Sequence, residues 1–331
     1  MTGLTDIARA ARVSIATVSR VVNEPEVVSE RTRTRVQRAM ARLGYQPNRV
    51  ARRLRQRGGR RQLIGLIIPE IENSHFSEIV RGVEDAAHKR GIAVMLCNSD
   101  DDPAKERFYL DILRAESVDG VIAPPIHDRD PALLAAAESG LPLVVIDRRL
   151  RRPGVDSVRV DNRLGARIAV EHLLDRGHTR IAHISGPARN FTSRERREAW
   201  SRALEDRGFA APRDYLWQGD NRRESGVAGA EALLSLPTPP QAIFVANNLM
   251  SIGVLEVIHG RGLAVPADVA VVGFDDPPWA QALRPALTSV RQPTREMGRV
   301  AVELLTDRLE HPRAPVRSVM LEPELMVRDS T

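Results

Sequence analysis

Residues 13–23 read VSIATVSRVVN. The stretch is small, hydroxylated and almost uncharged, with Arg20 its one ion, in a chain that carries 49 Lys and Arg. A helix built this way is slim at its N-terminal end, as a helix entering a DNA major groove must be. Ile15 and Ala16 are placed to approach base edges. Ser14, Thr17, Ser19 and Asn23 suit phosphate oxygens without the bulk of Lys. Arg20 is the residue able to make a bidentate contact to guanine.

The flanks predict a small helical head. Leu4, Ile7, Ala8 and Ala11 recur at helical spacing and give a first apolar face. A tight turn at Arg12-Val13 follows, and Ser14 is a good N-cap for a second helix from Ile15 to about Val22, with Val18, Val21 and Val22 facing inward. The segment NEPEVVS is broken by Pro25 and ends in a second capping residue, Ser29. A third helix runs from about Glu30 to Leu43, burying Val36, Met40 and Leu43, with Gly44 placed to stop it. Two short helices joined by a tight turn and supported by a third make a helix-turn-helix.

Charge supports a polyanion partner for this head. The chain has a net charge of +6, but residues 1–61 hold 15 Arg against Asp6, Glu24, Glu26 and Glu30, a net +11. The remaining 270 residues are mildly acidic at −5. A basic head on an acidic body points to nucleic acid at the head alone. A disordered basic tail is the competing reading, and the apolar periodicity argues against it. The N-terminus has no apolar core of the secretory type, and no run of 18 apolar residues occurs, so a cytoplasmic protein without a membrane partner is expected. Cys97 stands alone, which excludes an intrachain disulfide. His172, His178 and His183 lack metal-site spacing, so no metal and no cofactor are expected.

Next comes YQPNRVARRLRQRGGRRQ, residues 45–62. Residues 49–56 suit two turns of helix, with Val50, Ala51 and Leu54 on one side among arginines. So short a cationic helix is marginal alone and is expected to order only on a partner. Together, V-S-x-A-T-V-S-R-V-x-N and L-G-Y-x-P-N-x-x-A-x-x-L resemble the headpiece and hinge of the lactose-repressor (LacI/GalR) family. The resemblance implies that the second helix reads the major groove, that the hinge around Asn48, Ala51 and Leu54 enters the minor groove beside its mate, and that Leu54 wedges between base pairs. Arg12 departs from the Gly that many relatives carry at the turn.

From residue 62 onward, short apolar runs alternate with amphipathic stretches. LIGLII, IAVMLC, GVIA, LPLVVID, SVRVD, RIAHIS, QAIFVAN and VAVVGFDD read as strands. Helices are expected near 76–90, 104–117, 130–139, 162–176, 192–207, 223–235 and 248–261. This is the pattern of parallel βαβ units, and 270 residues suit two such domains. There is no GxGxxG, P-loop or GxSxG, and no catalytic constellation, so an enzyme is not expected. Ligands in open α/β sheets bind beyond the carboxyl ends of strands. Those ends are polar here: Asn98, Ser99 and Asp100, then Asp147, Asp161, Ser185, Asn247 and Asp275. Such a set suits a polyhydroxylated ligand.

The body resembles the periplasmic-binding-protein type I fold in DNRLGARIAVEHLLDRGHTRIAHISGP and PADVAVVGFDD. The expected fold is therefore α/β: an N-terminal helix-turn-helix headpiece (1–47), a hinge helix and linker (48–61), and a two-subdomain, Rossmann-like body (62–331). Its first subdomain takes about 62–160 plus 292–320, and its second about 161–291 plus 321–331. The family match implies that Arg196, Asn247, Asp275 and Asp147 contact an effector. It makes His75 and Phe76 the pocket wall of the first subdomain, with Phe76 able to stack on a ring. Asn248 replaces an Asp usual after Asn247, and Asn221 stands where some sugar-binding relatives carry Trp. Trp279 is a substitute stacking surface only if it is not core. The function implied is a sequence-specific transcription repressor, binding a near-palindromic operator as a homodimer and controlled by a sugar or sugar derivative. A purine-type corepressor and a freestanding solute-binding protein are the alternatives. The chain stops at LEPELMVRDST with no room for a heptad extension, so a dimer made by the bodies is expected rather than a tetramer.

Overall fold

A computed structural model describes residues 4–23, 27–43, 62–152 and 154–331. The chain divides into two compact units, Met1–Arg61 and Gln62–Thr331.

The first unit holds α1 (Leu4–Ala11), α2 (Ile15–Asn23) and α3 (Glu30–Arg42). Ile7, Ala8, Ala11, Val18, Val21, Val36 and Ala39 close its core, with Met40 and Leu43 packed at the edge. The first helix stops because Arg12 turns left-handed, at φ 51°. The Val13 amide then returns to the Ala8 carbonyl at 3.0 Å. Holding a side chain in that conformation costs on the order of 1 kcal/mol. Ser14 opens the second helix as expected, its hydroxyl accepting the Thr17 amide at 3.1 Å. Gly44 and the hinge lie outside the described residues.

The second unit is built on two six-stranded sheets. The first lobe contains β1 (Leu63–Ile68), β2 (Ala93–Asn98), β3 (Gly120–Ala123), β4 (Leu143–Ile146), β5 (Asp156–Val160) and β11 (Ser318–Leu321), in the order β11-β5-β4-β3-β1-β2 and all parallel. The second lobe contains β6 (Ile181–Ser185), β7 (Leu216–Gln218), β8 (Ala242–Val245), β9 (Ala270–Phe274), β10 (Thr288–Arg291) and β12 (Glu324–Met326), in the order β12-β10-β9-β8-β6-β7. Only β12 runs antiparallel to its neighbour. Helices α4 (Ser74–His88), α5 (Pro103–Ala115), α6 (Pro131–Glu138) and α11 (Thr294–Glu310) cover the first sheet. Helices α7 (Asn162–Asp175), α8 (Phe191–Asp206), α9 (Arg223–Leu234) and α10 (Asn248–Gly260) cover the second. The chain passes between lobes after β5, after β10 and between β11 and β12. Central strands are buried on both faces, which explains their near-continuous apolar runs.

In each lobe one pair of helices is joined at the backbone through glycines. A Cβ on Gly82 of α4 would overlap the Arg295 carbonyl of α11, and one on Gly298 would overlap that of Ile79. Gly226 of α9 and Gly253 of α10 meet the Met250 and Arg223 carbonyls in the same way.

Four strands and one helix escape the sequence reading. β7, β11 and β12 are short edge strands with no fully buried position, so they lack an apolar run. β10 is buried but reads TSVR, with Pro293 soon after. The helix α11, TREMGRVAVELLTDRLE, has a core stripe (Met297, Ala301, Val302, Leu304, Leu305) diluted by charges that face solvent.

Candidate effector pocket and DNA-reading helix

On α2, Ser14, Ile15, Ala16 and Arg20 are exposed, while Thr17 and Ser19 are half-buried. Ile15 is 49% exposed although Val18, in the next turn, is fully buried. A large aliphatic side chain held in solvent at the start of a thin helix is a surface waiting for an apolar partner, such as a thymine methyl. The Ser14 hydroxyl lies 2.9 Å from that of Thr17, so both are already oriented. Asn23 closes the helix. Asn48, Ala51 and Leu54 lie outside the described residues.

In the second unit a cavity of about 280 Å³ brings together all six body residues singled out from sequence: His75, Phe76, Asp147, Arg196, Asn247 and Asp275. His75 and Phe76 occupy the first turn of α4, where Asn73 caps the helix by accepting the His75 amide at 2.9 Å. Phe76 meets the His75 ring edge-on, 4.8 Å between centroids. Asp147 follows β4 and Asp275 follows β9, both left-handed at φ 65° and 70°. Asp tolerates that conformation better than most residues, and strain of this kind concentrates at functional sites. Asn247 caps α10 by accepting the Met250 amide and donates to the Asn221 carbonyl at 2.8 Å. Asn221 is also left-handed, at φ 72°, so its turn is pinned to the start of α10.

Arg196 lies buried one turn inside α8. Its Nε donates to Asn162 Oδ1 at 2.8 Å and Nη1 to the Ala246 carbonyl at 2.5 Å. The guanidinium is held 3.5 Å above the Phe274 ring. His75 sits between two carboxylates: Nε2 is 3.1 Å from Asp147, and Nδ1 is 3.5 Å from Asp275. Burial alone would lower its pKa, but the Asp275 charge and the hydrogen bond and charge of Asp147 outweigh burial and raise it above the ordinary value. Burial would likewise raise Asp147, yet the His75 hydrogen bond and the nearby cations hold it below the usual carboxylate range. Gln292 completes the floor, donating to Asp275 at 2.6 Å. These groups can grip a polyol: carboxylates accept its hydroxyl protons while Arg196 donates.

Four of the polar strand ends fall elsewhere. Asp161 caps α7 through the Leu164 amide, and Ser185 donates to the Gly186 carbonyl. Ser99 donates to the Ile68 carbonyl, and Asn98 to Asp100. The expectation that these ends line the cleft holds for Asp100, Asp147, Asn247 and Asp275 only. Trp279 packs half-buried on the second-lobe core and does not line the cavity. Asn248 instead bridges the lobes, donating to Asn73 Oδ1 at 2.9 Å and Ser74 Oγ at 2.7 Å. Gln292, Thr192 and Ser193 also line the cavity and were not read from sequence. The helix periodicity before Arg196 places Ser193 on its face, three residues earlier, and was the available signal. His172 and His183 are structural, bonded to Thr331 Oγ1 and the Phe244 carbonyl. No group of His, Cys, Asp or Glu among the described residues is arranged to hold a metal, and no described helix is long and apolar enough to cross a membrane.

Comparison with known proteins agrees at both ends of the chain. A model of bacterial regulatory proteins of the lacI family matches residues 3–48, and one of periplasmic binding protein-like domains matches residues 170–331. The ribose operon repressor of Escherichia coli (strain K12) is 34% identical over 331 residues, covering 100% of both chains. The HTH-type transcriptional repressor PurR of Photobacterium profundum is 32% identical, covering 100% of this chain and 98% of that one. Among solved structures, the transcriptional regulator CelR–cellobiose complex superposes with a TM-score of 0.76 at 35% identity and full coverage of both chains. The lac repressor dimer bound to operator and the anti-inducer ONPF gives 0.79 at 31% identity, covering 100% of this chain and 99% of that one. These relatives are transcription regulators and not enzymes, as the sequence reading expects. The chain belongs to the lacI family of bacterial regulatory proteins.

Proposed function

We propose that this DNA-binding regulator is a cytoplasmic homodimeric repressor that reads a near-palindromic operator through α2 and responds to a sugar or sugar derivative held by His75, Phe76, Asp147, Arg196, Asn247 and Asp275. The observation that carries the effector class is the cavity floor. His75, Asp147, Asp275 and Gln292 form one buried hydrogen-bonded set, and Arg196 faces it. Such a floor suits hydroxyl groups. A flat purine is better served by an aromatic face on each side, and the described cavity offers one aromatic carbocycle, Phe76. One helix-turn-helix covers a half-site, so two copies are needed for a full operator.

Selection of bound duplexes from a randomised pool, followed by affinity measurement with and without sugars and purines, tests this reading. A near-palindromic consensus whose affinity changes on adding a sugar supports it. Binding no tighter than to random DNA, or a response confined to purines, refutes the corresponding half.

A further inference from the structure

Charge is distributed unevenly over the two walls of the cavity. On the first lobe, cations answer the acids: Arg148 binds Asp101 through two donors, Lys105 binds Asp100, and His75 binds Asp147. On the second lobe, Arg189, Arg196 and Arg222 line the cavity, and none has a carboxylate within ion-pair distance among the described residues. Asp220 also lines this wall, with Oδ1 accepting the Arg222 amide at 2.9 Å.

Two helices begin on this second wall, α8 after Asn190 and α9 after Arg222, and neither has a side-chain cap. By contrast α4 and α10, which also begin at the cavity, are capped by Asn73 and Asn247. An uncapped start leaves backbone N–H groups and partial positive charge unanswered. In the first turn of α8, Thr192 and Ser193 are 9% and 4% exposed and line the cavity. Neither hydroxyl has a hydrogen-bond partner among the described residues. Gly186 makes room for this arrangement, because a Cβ there would overlap Ser193 Oγ and Asn221 Oδ1. Hydroxyls of buried residues that face the cavity without protein partners, beside uncapped helix starts, suit an anion, and Arg189, Arg196 and Arg222 line the same cavity.

We propose that the effector is a small polyol carrying one anionic group, a carboxylate or a phosphate, which seats against α8 and α9 between Arg189 and Arg222. This rests on the sugar-sensing reading above and narrows it. The polyol end faces the His75–Asp147–Asp275 floor and the anion faces the starts of α8 and α9, which gives the ligand one orientation. Asp275 and Asp147 offset part of the Arg196 charge and Asp100 lies within reach of Arg222's field, whereas a neutral sugar adds no counter-charge at the rim. A cavity of about 280 Å³ lies at the small end for ligand sites and suits a single sugar unit.

The test is calorimetry on the full chain with matched sets: ribose, ribonate and ribose 5-phosphate; glucose, gluconate and glucose 6-phosphate; hypoxanthine; and inorganic phosphate alone. An anionic sugar should bind at least tenfold tighter than its neutral parent, and the set that does so tells carboxylate from phosphate. Replacing both rim arginines (Arg189→Gln with Arg222→Gln) should erase that preference, so that within the variant the anionic sugar binds no more tightly than its neutral parent. Equal or tighter binding of the neutral parent overturns the anionic assignment while leaving sugar sensing intact. So does an anion preference that survives the double substitution. Binding of hypoxanthine with no sugar of any charge overturns both.

Discussion

The Asn248 carboxamide on the second lobe donates to Asn73 Oδ1 on the first at 2.9 Å, a buried bond beside the candidate effector cavity. The same nitrogen reaches Ser74 Oγ, so one side chain fastens the start of α10 to the start of α4. Asn73 Oδ1 is already committed to the His75 amide, which fixes Asn248 as the donor. Asn248→Asp, which restores the residue expected from the family, removes both donated bonds. At about 0.5–1.5 kcal/mol each, the ligand-free cleft should open. Small-angle scattering should show a larger radius of gyration for the variant without effector. Unchanged scattering would show that the bridge does not hold the lobes together.

The proton on His75 should make stability pH-dependent. Its folded pKa is raised, so its contribution is complete below the unfolded value, about 6.5, and fades as pH rises through the folded one. Urea titrations from pH 6 to 9 should show stability falling with a component absent from His75→Gln. The slope cannot exceed about 1.4 kcal/mol per pH unit for this one proton. Parallel profiles for the two proteins would mean that the folded state holds the His75 proton no more tightly than the unfolded chain.

Glu106 carries a cost that a single atom change should remove. It is 1% exposed, and no donor reaches either oxygen of the ionised group, whereas the protonated form can donate to the Asp130 carboxylate. Burial first, then the Asp130 charge, pushes its pKa up to about 9. A folded carboxyl that keeps its proton longer than the unfolded one loses stability steadily between the two pKa values. Glu106→Gln should therefore be more stable than the native protein at pH 8, by about 1–3 kcal/mol, with the gap closing towards pH 5. A destabilised variant at pH 8 would show that burying the ionisable group carries no such cost.

Loss of Arg196 or Asp275 should weaken effector binding by the worth of a charged hydrogen bond. Arg196→Lys keeps the charge but loses the fixed geometry to Asn162 and Ala246. Asp275→Asn keeps the size. Each should lose about 1.5–3 kcal/mol of affinity, roughly 10- to 150-fold, by calorimetry with DNA binding retained. Native affinity in both would remove them from the site.

At the head, Arg20→Ala should cost about 1–3 kcal/mol on operator and relax preference at one base pair per half-site. Competition against single-base operator variants measures this directly. Equal losses on specific and random duplexes would make Arg20 a phosphate contact.

Much of this was legible in the sequence because its signals are local. Ser14 announces the start of α2, and the central strands announce themselves by double-sided burial. Asp147, Asn247 and Asp275 could be placed because ligand sites gather at strand ends. Asp161 and Ser185 occupy such ends too, but a helix amide claims one and a neighbouring carbonyl the other. Strand position cannot tell a cap from a ligand contact. Gln292 and Asn162 were invisible for a different reason: each works by reaching a residue far along the chain, Asp275 in one case and Arg196 in the other. Asn248 read only as a departure from a family pattern, and its bridging role emerges once α4 lies opposite.

The glycine seams carry a mechanical consequence. Where α4 meets α11, and where α9 meets α10, backbone lies on backbone, with no side-chain layer to slide or repack. Gly82→Ala should therefore be far more damaging than Gly260→Ala, whose added methyl meets open space. Each of these two helix pairs should therefore move as one piece. Because α11 follows directly on the second crossing of the chain and packs backbone to backbone on the helix bearing His75, rotation of one lobe against the other would carry His75 and Asp147 together and away from Asp275.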